Sequence, residues 1–280
     1  MQVFLTDEDN ITKEKNENFE IYIIEIKNKD TYHHLVNVLR VKKEDKITVV
    51  TKDKKQIIGR IENINKKIIN IKGEELEKSI SNNNENNLKY KYILLQGIPK
   101  SKKLELIAEK TTEIGIDKII PIEMTRSIVR KKDLKENKQE RLKTILKSAS
   151  EQSKRVDIPI LESPKTFDEI INLLDLNNNE NCLNIEKYIL VFYENKDTTN
   201  LSLKEVLNEI KTKYKDVTNN NLAIEIYILI GPEGGITEEE INKIKKNKNA
   251  KVVSLGKNIL RTETAPIAAL SIIKYELENI

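Results

Sequence analysis

The chain has 280 residues, 38% of them hydrophobic and 34% charged, and a formal net charge of +4. That length suits one large or two ordinary domains, and the longest apolar runs, about eight residues, fall far short of a membrane span. The single cysteine, Cys182, excludes an internal disulfide, neither it nor the adjacent His33 and His34 form a metal-ligand pattern, and the acidic start at Asp7 and Glu8 lacks a leader signature, so a reducing cytoplasm is expected.

Residues 1–75 read as a first domain of short strands at 20–27, 46–51, 56–63 and 67–72. Several β runs with turns between them suggest a small barrel. Residues 30–39 carry Leu35, Val38 and Leu39 on one helical face. Arg40, directly after them, could meet a phosphate or close a salt bridge. Residues 76–89 are polar, Asn-rich and low in complexity, and read as a linker. Similar Asn runs at 177–181 and 219–221 read as polar insertions.

From residue 90 to 280 the pattern alternates strand and helix, which argues a parallel sheet covered by helices. Strands are predicted at 92–96, 118–122, 187–192, 223–230 and 251–255, and helices at 102–114, 134–153, 202–213 and 264–277. Gly115 suits the position just past a helix end. Thr237 and Glu240 have capping-box spacing, with Glu238 and Glu239 at the positive end of the same helix. The last helix carries Ala265, Ala268, Ala269, Ile272, Ile273 and Leu277, and is apolar on more than one face.

Charge is uneven along the chain. Residues 40–72 hold eleven Lys/Arg against four Asp/Glu, a local +7, and residues 126–155 hold the same. Such segments suit a phosphate-facing surface, although lysine is abundant throughout and a lysine run is commonly a solvated face.

Four of the 8 glycines fall in two strings: Gly231-Pro232-Glu233-Gly234-Gly235 and the stretch from Ser254 through Gly256 to Pro266. Both follow apolar strands and precede helices. Glycine there permits a tight turn or a close backbone approach, and Gly234 is expected to lie against a ligand. Two tandem strand–loop–helix units create a ligand crevice at the carboxyl ends of parallel strands. A lone glycine turn carries little information, but the string beginning at Leu255 is unusual for a connector. There is no G-x-x-x-x-G-K-[ST] despite the run Lys100-Ser101-Lys102-Lys103, and no G-x-G-x-x-G, so phosphate-loop hydrolases and Rossmann-type sites are disfavoured.

These motifs resemble those of the RsmE family. The resemblance covers Gly231-Pro232-Glu233-Gly234-Gly235 with Thr237 and Glu240, and Ser254-Leu255-Gly256-x-x-Ile259-Leu260-Arg261-x-Glu263-Thr264-Ala265-Pro266. It extends to His34 with Val38-Leu39-Arg40, to Lys110 through Ile116, to Pro121 with Arg126-Ser127, and to Glu151-Gln152-Ser153-x-Arg155 with Pro159. It runs in order from about residue 30 to about residue 270. That family comprises S-adenosyl-L-methionine-dependent methyltransferases of the SPOUT superfamily that methylate a uridine base at N3 in 16S ribosomal RNA.

The resemblance implies an α/β protein with an amino-terminal PUA-like β-barrel and a carboxyl-terminal knotted (trefoil) SPOUT domain. It implies a cofactor pocket at Phe192, Tyr193, Glu194, Ile230, Gly231, Pro232, Glu233, Gly234, Leu255, Gly256, Ile259, Leu260, Thr264 and Ala265, with no metal. Arg261 is the candidate catalytic residue, able to stabilise an anionic uracil or hold a phosphate; a structural pair with Glu233 or Glu263 is the alternative. Arg40, Lys100, Arg126, Arg130, Glu151, Gln152 and Arg155 are the candidate substrate-side residues. The implied partners are 16S ribosomal RNA in the small subunit and a second copy of the chain, with no membrane. In such a homodimer Arg126 and Arg155 would approach the partner's cofactor. A non-catalytic RNA-binding assembly factor and a transfer RNA methyltransferase are the rival readings, and the first has no need of an intact cofactor crevice.

Overall fold

The computed structural model describes residues 2–5, 11–16, 19–51, 55–76, 89–176, 185–194, 202–214 and 222–278. Most of the expected linker, both Asn-rich insertions and Cys182 lie outside the described residues. The chain divides into two units, residues 1–83 with 147–158, and residues 84–146 with 159–280.

The first unit holds a six-stranded sheet in the order β1-β4-β5-β6-β3-β2. Its strands are β1 (Gln2–Leu5), β2 (Ile11–Asn16), β3 (Phe19–Ile26), β4 (Lys46–Val50), β5 (Gln56–Ile64) and β6 (Ile69–Glu75). All pairings are antiparallel except β1 with β4. Among the described residues no pairing closes the sheet from β2 back to β1. Alternate residues of β3 (Tyr22, Ile24, Ile26) and of β6 (Ile69, Ile71) bury a core with Leu35, Val49, Ile57 and Ile61, as period-2 patterning requires. The expected helix at 30–39 is a short α1 (Lys29–His33) running into one π-helical turn, His34–Val38. Arg40 follows in a left-handed conformation, φ 54°, and is exposed.

The second unit is built on a seven-stranded sheet in the order β10-β8-β7-β12-β11-β13, with β9 also on β8. These are β7 (Lys89–Gly97), β8 (Lys118–Glu123), β9 (Ile160–Leu161), β10 (Lys165–Thr166), β11 (Ile185–Phe192), β12 (Ala223–Ile230) and β13 (Ala250–Val253). Every pairing is parallel. A parallel sheet is covered on both faces, so its strands read as continuous apolar runs. In β12, Ile224, Ile226, Ile228 and Ile230 join one core while Tyr227 and Leu229 join the other. Each fully buried side chain of this size contributes about 1.5–3 kcal/mol.

Helices α2 (Lys103–Ile114), α3 (Glu136–Gln152), α5 (Leu203–Lys213) and α7 (Thr264–Glu278) supply the first core through Leu104, Leu142, Val206 and Ala269 among others. Helices α4 (Phe167–Leu176) and α6 (Glu238–Ile244) supply the second through Phe167, Ile170, Ile241 and Ile244. The local signals act as expected: Gly115 caps α2 with φ 112°, and Thr237 with Glu240 forms the capping box of α6.

Chain order fixes the site. After β12 the chain passes to edge strand β13, then returns past β11 so that Thr262 reaches Gly231 and Gln96 at the ends of β12 and β7. Helix α7 then packs against α2, α5 and β12.

Candidate active site

Three loops at the carboxyl ends of β11, β12 and β13 enclose a crevice of about 590 Å³. From β11 come Phe192, Tyr193 and Glu194; from β12, Ile230 through Ile236; from the return segment, Ser254 through Thr262, with Ala265 of α7. Lys103 and Arg126 complete the lining. Of the pocket residues expected from sequence, all but Thr264 line it; Thr264 is the exposed first residue of α7.

The β12 loop is held from several sides. The Thr262 hydroxyl donates to the Gly231 carbonyl at 2.8 Å and accepts from Gln96 Nε2 at 3.1 Å. Gln96 is fully buried, and its amide also donates to the Gly97 carbonyl at 3.0 Å. A Cβ at Gly97 would lie 2.5 Å from the Pro232 nitrogen, so glycine there lets β7 press against the loop. Glu240, buried at 4% exposure, caps α6 and also accepts the Thr125 N–H at 2.8 Å. This fixes the β8 loop, where Arg126 Nη1 donates to the Gly234 carbonyl at 3.0 Å. A Cβ at Gly234 would meet Arg126 Cβ at 2.8 Å. The space that a side chain at Gly234 would need is therefore taken by Arg126, while Gly234 itself lines the crevice.

The charges are partitioned. Lys103 Nζ lies 3.2 Å from Glu233 Oε1 and 3.1 Å from Glu263 Oε2. The second contact is a charge pair, since that Glu263 oxygen makes no aligned hydrogen bond. Glu233 also accepts the Lys100 N–H at 3.0 Å. Burial pushes the Glu233 carboxyl up, but backbone N–H groups and the Lys103 ammonium outweigh it and hold the group below the usual carboxylate value. Glu263 is held low in the same way, burial being outweighed by its backbone N–H, the Lys103 ammonium and the field of Arg261. The adjoining Glu263 carboxylate, with Glu233 beside it, more than offsets desolvation and raises the Lys103 ammonium above its usual value. With both carboxylates held by Lys103, Arg261 is exposed on the crevice wall, and no hydrogen bond or ion pair of its guanidinium occurs among the described residues.

The candidate substrate-side residues fall in both units. Arg126 lines the crevice of its own chain. Lys100 is off the crevice lining and meets it through its N–H on Glu233. Arg130 is paired with Glu123 at 3.3 Å, off the crevice lining. Arg40, Glu151, Gln152 and Arg155 belong to the first unit, where Arg155 pairs with Asp157 at 3.2 Å. Lys103, Gln96, Gly97 and Thr262 are not among the site residues expected from sequence, although Lys103 ends the lysine run that follows Gly97 and Thr262 lies within the second motif string. Gly97 was the legible one, being a rare glycine at a strand end. Among the described residues no group of three or more His, Cys, Asp or Glu is placed to hold a metal ion.

A doubly covered parallel sheet with its crevice at the strand ends, together with a small mostly antiparallel sheet unit, has a counterpart in known families. Residues 85–274 match the family described as RNA methyltransferase domain, and residues 26–72 match the RNA methyltransferase PUA domain. The chain is 30% identical over 247 residues to ribosomal RNA small subunit methyltransferase E of Bacillus subtilis, covering 88% of each chain. It is 30% identical over 252 residues to the protein of that name from Rickettsia conorii, covering 90% of this chain and 89% of that one. The chain belongs to the ribosomal RNA small subunit methyltransferase E family. The Neisseria gonorrhoeae member, solved bound to S-adenosyl methionine, shares the fold with a TM-score of 0.68 at 24% identity, over 98% of this chain and 97% of that one.

Proposed function

We propose that this protein transfers a methyl group from S-adenosyl-L-methionine to N3 of a uridine in 16S ribosomal RNA. The observation that carries the reading is the unpaired Arg261 on the wall of a crevice whose two nearest carboxylates are already held by Lys103. The family's name supplies the class of reaction and of RNA. The crevice fits the cofactor: its volume of about 590 Å³ lies within the range of small-molecule sites. Its wall combines apolar side chains (Ile230, Leu255, Leu260, Ala265) with the glycine-bearing backbone at Gly231 and Gly256, suited to a flat base and its polar edge.

When bound, the cofactor supplies an electrophilic methyl on a sulfonium. The chain's own residues hold and orient. Phe192, Tyr193 and the two loops fix the ligand and exclude water. The Arg261 guanidinium stabilises the uracil anion that forms when N3 gives its proton to solvent before the crevice closes over it. Arg126, at the same crevice, positions the RNA strand, with Lys100, Arg130, Arg40, Glu151, Gln152 and Arg155 on the wider substrate side. The first unit is the RNA-holding PUA-like barrel, and the return segment through residues 254–263 is the threaded part of a trefoil knot. Exposed Ile272 and Tyr275 on α7 support a homodimer. The target is rRNA of the small subunit in the cytoplasm, and no described helix is long and apolar enough to cross a membrane.

Calorimetry with S-adenosyl-L-methionine and a chelator present tests the reading. One site per chain is expected; folded protein that binds none at millimolar cofactor contradicts it.

A further inference from the structure

Lys103 belongs to none of the motifs of the family resemblance and enters above only as the end of the run Lys100-Ser101-Lys102-Lys103, yet among the described residues it is the one cation ion-paired with both Glu233 and Glu263. It is the first residue of α2, which β7 feeds. Its ammonium lies 3.2 Å from Glu233 on the β12 loop and 3.1 Å from Glu263 on the return segment. Those carboxylates stand 30 positions apart in the chain and converge on one charge. Glu263 is two residues from Arg261, and the guanidinium is close enough to act on the Glu263 carboxyl through its field.

We propose that Lys103 is a positioning residue that neutralises Glu263 and Glu233 and so keeps Arg261 free for the RNA base. This rests on the methyltransferase reading above. Two carboxylates converging without a cation repel, and the positive residue nearest Glu263 in sequence is the exposed Arg261. Removing Lys103 draws the guanidinium onto Glu263, and the crevice loses its free arginine while its backbone walls stay in place. Lys103 touches no reacting atom in this scheme; it sets where Arg261 spends its time. The ion pairs are partly shielded from water, with Lys103 31% and Glu263 15% exposed at the side chain, so the attraction is less screened than on an open surface.

The test compares wild type, Lys103→Met, Lys103→Arg and the double variant Lys103→Met/Glu263→Gln. Each is assayed for cofactor affinity by calorimetry and for kcat on 16S ribosomal RNA at saturating cofactor. Lys103→Met is expected to bind cofactor as wild type does but to lose roughly tenfold to a hundredfold in kcat. Lys103→Arg is expected to retain most of the activity. The double variant is expected to regain much of what Lys103→Met loses, because the carboxylate that captures Arg261 is gone, with melting temperature unchanged across the series; a scaffolding role alone makes the loss and the recovery follow the melting temperature. Wild-type kcat in Lys103→Met, or no recovery in the double variant, overturns the role of Lys103 while leaving the methyltransferase reading intact. A wild type that binds no cofactor overturns both.

Discussion

Residues 231–235 and 254–260 wall the same crevice, but the first stretch is packed and the second is open. A Cβ at Gly231 would lie 2.9 Å from Ile236 Cγ1 and 3.1 Å from the Gly235 carbonyl carbon, and one at Gly234 would meet Arg126. At Gly256, by contrast, nothing lies within 4 Å, and the glycine is needed only for its φ of 118°. The packed loop is tied by Thr262, by Lys100 through Glu233, and by Arg126. The open loop is tied by its own turn, Ser254 Oγ to the Gly256 N–H and carbonyl, and carries Ile259 at 74% exposure. One wall is therefore a fixed cradle, and the other can adapt to what enters. Arg261 sits at the junction, at the end of the open loop and beside the anchored Thr262.

This contrast can be broken at the packed loop first. Gly231→Val is expected to lose cofactor binding and about 2–3 kcal/mol of stability, because the neighbours are backbone and a buried isoleucine that cannot yield. Calorimetry and thermal melting check it, and normal binding would show that the loop is not the rigid wall. Next, Arg261→Ala is expected to cut kcat by about 10²–10³-fold with melting temperature unchanged. Its side chain is exposed and supports nothing else. Loss of stability in that variant would assign Arg261 a structural role.

Thr262→Val joins the two regions. It removes the donor to Gly231 and the acceptor for buried Gln96, and is expected to cost about 1–3 kcal/mol with weaker cofactor binding. Gly256→Ala sharpens the comparison from the other side: with open space around it only backbone strain remains, about 1–2 kcal/mol. A loss of affinity as large as that of Gly231→Val would mean the open loop is as constrained as the packed one.

The smallest effect is on acid stability. Glu233 and Glu263 titrate below the ordinary carboxyl value of 4.5. The stability they contribute is complete above that value and is lost as pH falls through their depressed values. Melting temperature from pH 6 to pH 3 should therefore fall less steeply in Glu263→Gln than in wild type.

The sequence displays these two loops unequally from the rest. Scarce glycines at the ends of apolar runs mark both loops, and β12 and β13 are legible from eight and four buried or half-buried residues in a row. The capping residues Thr237 and Glu240 are legible too, though not the second bond that Glu240 makes to Thr125. β1 and β2 escape notice because one is four residues long and the other is mostly polar. The α1 region breaks its helical pattern with a π-helical turn, which three apolar positions on one face cannot reveal. Lys103 is invisible in a chain with 49 lysines and arginines, since only the return of the chain past β11 brings Glu263 to it. The family resemblance singles out Arg261, but whether it is free depends on that same third party.

The proposed methylation of one uridine of small-subunit RNA at this crevice, with Arg261 on its wall, is open to a direct test. The most direct measurement is mass mapping of 16S ribosomal RNA and small subunits treated with the protein and isotopically labelled S-adenosyl-L-methionine. A single N3-methyluridine carrying the label, absent with Arg261→Ala, is the predicted result. A folded, cofactor-bound wild type that leaves the RNA unlabelled, or labels a different base, would contradict it.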